Sequence, residues 1–235
     1  MPSPPPRAQY KVIPLLVLLL GLFAWNGYST MRHFAAEVHC NTVTNSTLNR
    51  DQNPALEEIK AALSWNGHNA KYWYKLASAW WSLRKGGEGD SGDEEGYKKQ
   101  VEIVTALEEA IRRNPFDPQY HALLAWEYSY LWQAPDYHEK WLTAADQSMD
   151  RAAYFAGDRA PRLHVTIGNY WIMRSKTVLP SDPLWETAWA NARRHYRKAL
   201  AGAKGLNDEI ERFVWKFYPD KSMVQDLMGS PMSEG

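Results

Sequence analysis

Chemistry in a chain of this kind would begin with an acid or a histidine placed beside large rings, and a few residues meet that description. Glu127 stands between Trp126 and Tyr128, where a carboxylate could act as acid or base if a second acid converged on it. No such partner is visible nearby in the sequence. His164 is expected to face a groove, whereas His195, among Ala192, Tyr196 and Ala199, is expected to pack inward. His33, His39 and Cys40 are too few to specify a metal site. With a single cysteine the chain can form no intrachain disulfide. The sequence has no HExxH, no GxSxG and no phosphate-cradling glycine loop. The expectation is a protein without catalytic residues, cofactor or metal.

Binding chemistry is better represented. The chain holds 12 Trp and 13 Tyr, rings that either fill a core or line a recognition surface. Trp80, Tyr128 and Trp171 fall at helix-stacking positions. Trp81, Tyr130 and Trp132 exceed what stacking requires. The residues expected to line a groove are Trp73, Trp81, Tyr120, Glu127, Tyr130 and His164. Arg193, Arg194, Arg197 and Lys198 form a second candidate, a basic helix face whose like charges repel at i,i+4 spacing. An anionic partner, lipid headgroups or plain water could offset that repulsion. An acidic, glycine-rich stretch with Glu88, Asp90, Asp93, Glu94 and Glu95 lacks the ligand register of a calcium loop and reads as a solvated insertion. Asn45-Ser46-Thr47 matches a glycosylation acceptor, relevant only in a eukaryotic secretory setting. Lys+Arg and Asp+Glu are both 27, which gives no bulk attraction to nucleic acid.

These residues need elements to position them. Val12 to Trp25 (VIPLLVLLLGLFAW) carries no charge, and extension to Met31 gives about 20 positions, the length of a bilayer-spanning helix. A cleaved secretory signal is the other reading, though no good small-x-small site follows Ala24. Arg7 and Lys11 precede the span and Arg32 follows it, so the bulk of the chain is expected on the extracytoplasmic side.

Beyond the polar segment His39 to Asn53, nearly every stretch has helical periodicity. Ile103, Leu107, Ala110 and Ile111 recur at helical spacing and stop at Asn114-Pro115. After the elbow NPFDP, in which Asp117 can cap and Pro118 can open a helix, Tyr120, Leu124, Ala125 and Tyr128 begin another. The layout recurs around Ala62 with Trp73, Leu76, Ala77 and Trp80; around Ala152 with His164, Ile167, Gly168 and Trp171; and in Ala192, Tyr196 and Ala199. Small residues such as Ala77, Ala110, Gly168 and Ala199 would let neighbouring helices approach closely.

This arrangement of aromatic, Leu-Gly/Ala and aromatic, followed by Ala and a large residue and then Asn-Pro, resembles the tetratricopeptide repeat (TPR). AIRRNP, Ala110 to Pro115, is the best match, and the resemblance covers most of residues 54–200. Its unit is about 34 residues, and the excess here falls in hairpin loops at Gly86 to Gly96, Trp132 to Asp136 and Ser175 to Pro183.

The expected fold is all-α: antiparallel hairpins stacked as a short TPR-like superhelix, plus one N-terminal transmembrane helix. The divisions are a tail at 1–11, an anchor at 12–31, a linker at 32–53, a repeat domain at 54–218 closed by a helix over Leu206 to Tyr218, and a tail at 219–235. The uncharged span and the charge bias place an anchor and an extracytoplasmic domain, and the resemblance implies that this domain is a scaffold binding a protein or peptide, in envelope polysaccharide assembly or secretion. A glycan is the other ligand class. Two alternatives remain, a glycan-processing enzyme on the same scaffold and a secreted soluble repeat protein.

Overall fold

The computed structural model describes residues 9–46, 52–86, 94–133, 139–158 and 160–229. Among them there is no strand. The helices are α1 (Gln9–Ser46), α2 (Gln52–Trp65), α3 (Ala70–Gly86), α4 (Glu94–Arg113), α5 (Pro118–Trp132), α6 (Glu139–Ala156), α7 (Pro161–Ser175), α8 (Pro183–Gly202), α9 (Asn207–Phe217) and α10 (Lys221–Met228), with a 3₁₀ turn at Lys204–Leu206 before α9.

The strongest packing is between consecutive pairs: α1 with α2, α3 with α4, α5 with α6, and α7 with α8. Each helix has one apolar stripe that it cannot bury alone. In α4 that stripe is Ile103, Val104, Ala106, Leu107 and Ala110, all buried. Ala77, Ala110, Gly168 and Ala199 are buried as well, and the large residues Tyr128, Ile167 and Trp171 fill the space between helices. Burying such a side chain contributes about 1.5–3 kcal/mol.

The turns follow from local chemistry. Asp117 caps α5 by accepting the Gln119 backbone N–H at 3.0 Å, with Pro118 opening the helix. Asp182 and Pro183 do the same for α8. α6 ends at Gly157, whose φ of +56° suits glycine.

A tyrosine locks each junction between successive hairpins. Tyr72 donates to Glu37 at 3.0 Å, Tyr128 to Glu108 at 2.6 Å and Tyr170 to Asp146 at 2.6 Å. Burial first and the neighbouring acid second push Tyr72 up to about 12, and Tyr128 and Tyr170 rise further. All three hydroxyls stay protonated and donate.

Two segments differ from the sequence expectation. The polar segment within 32–53 is not an irregular linker up to Ser46, because α1 runs on without a break. Its far end is the first helix of the first hairpin: Ala36 and Cys40 are buried against Ala62 and Tyr72. Lys75 donates to the Cys40 carbonyl at 3.1 Å, and His39 Nδ1 lies 2.6 Å from Glu58 Oε2. The start of the expected tail, 219–235, is also ordered. It forms α10, whose Val224 and Leu227 are buried as the helix packs on α8. The closing helix expected over 206–218 is α9. The acidic stretch at 88–93 lies outside the described residues.

Upstream of Ala36 the character of α1 reverses. Leu18, Leu20, Phe23 and Trp25 are all more than half exposed. Pro14–Asn41 is long and apolar enough to cross a membrane, with mean hydropathy 1.3.

Candidate partner-binding groove

Helices α3, α5 and α7 form one layer, joined by ring contacts. Tyr74 of α3 stacks on Tyr120 of α5 at 5.4 Å, and Trp126 of α5 meets Tyr170 of α7 edge-on at 5.8 Å. A narrow pocket opens between α3, α4 and α5, lined by Tyr74, Ser78, Trp81, Leu107, Leu123 and Glu127.

The floor of this pocket is charged and fully matched. Glu127 Oε2 accepts from Arg84 Nη1 at 2.8 Å and from Gln100 Nε2 at 2.6 Å. The Glu127 and Arg84 side chains are only 5% and 14% exposed. Gln100 also donates to the Glu127 carbonyl at 2.9 Å. Arg84 lies over the Tyr130 ring at 5.1 Å. The Glu127 carboxylate is thus held from within the chain by a guanidinium and an amide.

Trp81 and Glu127 therefore line the same pocket, and Tyr130 is joined to Glu127 through Arg84; Trp81 is 37% and Tyr130 45% exposed. The other three expected groove residues are elsewhere. Trp73 staples the α2–α3 turn: its indole N–H donates to the Gly67 carbonyl at 2.9 Å, and Arg113 covers its ring at 4.6 Å. Tyr120 is buried at the α3–α5 junction under Tyr74, and burial raises its phenol. His164 does not face a groove; it is wholly buried between α7 and α8.

His164 instead takes part in a directional chain. Its Nε2 lies 2.7 Å from the Gly157 carbonyl and so carries the hydrogen, which makes Nδ1 an acceptor. His195 Nδ1, 3.0 Å away, must then donate to it. Both rings are neutral. Burial, then His164, Arg194 and Lys198, push His195 down to about 3, and burial also lowers His164.

The basic face is engaged from within the chain, and two of its four cations meet acids. Arg193 pairs with Asp226 of α10, and Trp189 Nε1 donates to the same carboxylate at 2.8 Å. Arg197 reaches the Asp226 carbonyl at 3.3 Å, and Lys198 pairs with Asp158 at 2.8 Å. Arg194 bonds Asn191 at 3.0 Å.

Arg84 and Gln100 escape a reading of the sequence. They lie 43 and 27 positions from Glu127, and only Gln100 leaves a trace, as a polar residue on the same stripe as Ile103 and Leu107.

No family model matches the chain, and no curated protein matches its sequence. Among solved structures it is similar to a thermophilic TPR protein from Thermus thermophilus. The identity is 20% and the TM-score 0.55, with 84% of this chain and 94% of that one covered. At that identity the likeness concerns the fold alone, which is TPR-like.

Proposed function

We propose that this chain is a membrane-anchored TPR-type scaffold that holds a protein or peptide segment against the α3–α5 layer. The observation that carries the reading is a pre-formed Arg84–Glu127 pair with a partly exposed ring on each partner's side, Tyr130 against Arg84 and Trp81 lining the pocket with Glu127. Trp, Tyr and Arg are the side chains from which binding hot spots are most often built. Here the arginine is already oriented, so little rotamer freedom remains to be lost on binding.

α1 supplies the anchor in this reading. The exposed apolar stretch near Pro14 to Met31 spans the bilayer, and the cations Arg7 and Lys11 hold its leading end in the cytoplasm. The repeats then face the extracytoplasmic space. A role in envelope polysaccharide assembly or secretion fits that placement.

The test is co-purification of the full chain from its native membranes, compared with the Trp81→Ala/Tyr130→Ala double variant. A specific partner should be lost by a factor of roughly thirty or more, corresponding to about 2 kcal/mol, with the helical circular dichroism unchanged. Retention of the same partner by the folded variant would refute the groove.

A further inference from the structure

The inter-repeat turns lie along one edge of the stack, and a chain of contacts connects them. The Trp65 carbonyl, at the end of α2, accepts from Arg32 Nε of α1 at 2.7 Å. In the turn that follows, the Gly67 carbonyl also accepts from Arg113 Nε at the end of α4. Phe116, in the α4–α5 turn, meets Phe155 at the end of α6 edge-on at 5.6 Å, and Phe155 touches Tyr154 at 5.2 Å. Pro161, opening α7, packs against Gly202 at the end of α8. Odd-numbered helices leave this edge and even-numbered ones return to it.

The edge begins at Arg32, one residue past the expected end of the span at Met31. Because α1 is unbroken and is clamped by Ala36 and Cys40, the geometry provides no hinge between span and stack. Outside α1, the two most exposed rings of the described residues are on this edge: Tyr154 at 81% and Phe116 at 70%, with Trp65 at 43%. Exposed Lys71, Arg112 and Arg162 accompany them. Of the acids along the edge, Asp117 caps α5, Glu109 pairs with Arg112 and Arg113, and Asp158 pairs with Lys198, while Asp208 and Glu209 lie exposed at its far end, in the first turn of α9. The amphipathic rings of Tyr154 and Trp65 and the apolar ring of Phe116, with exposed cations and set level with the exit point of an apolar helix, are the chemistry of a bilayer interface.

We propose that this edge rests on the surface of the bilayer that α1 enters, with Phe116 and Tyr154 seated among the headgroups of anionic lipid. The proposal rests on the anchor reading above. It lays the domain down through its inter-repeat turns. The opposite edge, with the α7–α8 loop and its exposed Leu179, then points away from the membrane.

The test uses the full chain, with Cys40→Ala, reconstituted in phosphatidylcholine/phosphatidylglycerol vesicles. One fluorophore is attached in turn through Phe116→Cys, Tyr154→Cys, Leu179→Cys or Leu20→Cys. Spin labels on lipid headgroups should quench positions 116 and 154 several-fold more than position 179, and acyl-chain labels should quench position 20. If 116 and 154 are quenched no more than 179 while position 20 is quenched, the edge proposal falls and the anchor stands. An unquenched position 20 overturns both. Shielding of 116 and 154 only after a second protein is added would assign the edge to that protein and overturn the lipid proposal.

Discussion

The ring of Tyr196 lies directly against Gly168: a Cβ added there would stand 2.5 Å from Tyr196 Cε1. Here α7 and α8 approach each other closely, and Tyr196 is fixed further by its hydroxyl, which donates to Asn169 Oδ1 at 2.8 Å. Gly168→Ala must displace a fully buried ring. The expected loss is about 1–3 kcal/mol, seen as a lower midpoint in urea with an unchanged slope.

The same helix shows how far the sequence could be read. His164, Ile167, Gly168 and Trp171 share one stripe of α7. Ile167 and Trp171 are core, so the periodicity that identified the helix also buries His164, against its expected place in a groove. Repeats with dense stripes, such as Ile103 to Ala110, were legible because helical spacing alone marks the buried face. The first hairpin was not, because over residues 32–41 the buried positions are only Ala36 and Cys40, among polar neighbours. α10 offers just Val224 and Leu227. In the groove, the surplus rings Trp81 and Tyr130 could be picked out by type. Their ion pair could not, because it joins residues distant in sequence.

That ion pair yields a second prediction. Arg84→Ala leaves Glu127 buried without its cation and should cost about 3–5 kcal/mol. Arg84→Met/Glu127→Leu removes both charges, and stability should return to within about 1–2 kcal/mol of the parent in chemical denaturation. A double variant as unstable as Arg84→Ala would show that the charge pair itself holds α3 to α5.

The histidine chain makes stability depend on acid. His195 and His164 have folded pKa values below their unfolded value of about 6.5. The unfolded chain therefore binds more protons below pH 6.5, and stability falls as pH falls through that point. For His195 the fall continues towards about 3. The slope is about 1.4 kcal/mol per pH unit for each proton taken up. Glu109, held below 4.5 by Arg112 and Arg113, adds its own loss only at lower pH. Asp150, raised by burial and by Asp146, acts in the opposite sense. The difference between the parent and His195→Gln isolates the histidine: unfolding measured from pH 7 to 4.5 should show a shallower decline in the variant.

At the C-terminal end, packing and charge make different contributions. The Arg193 and Asp226 side chains are 37% and 42% exposed, and a pair so exposed is worth about 0–1 kcal/mol. Leu227 is wholly buried, and Leu227→Ala should cost about 2–5 kcal/mol. Thermal melts of Arg193→Ala, which leaves the Trp189 bond to Asp226 in place, and Leu227→Ala should separate accordingly. Equal losses would mean that α10 is a charge latch.

Whether the chain is a scaffold is tested most directly by photo-cross-linking in native membranes from single positions. A photoreactive residue replaces Trp81 or Tyr130 in the groove, or Val101, which is 40% exposed on α4. Capture of one and the same polypeptide from positions 81 and 130, and not from 101, is the predicted result. No capture from the groove, or equal capture from all three positions, would contradict it.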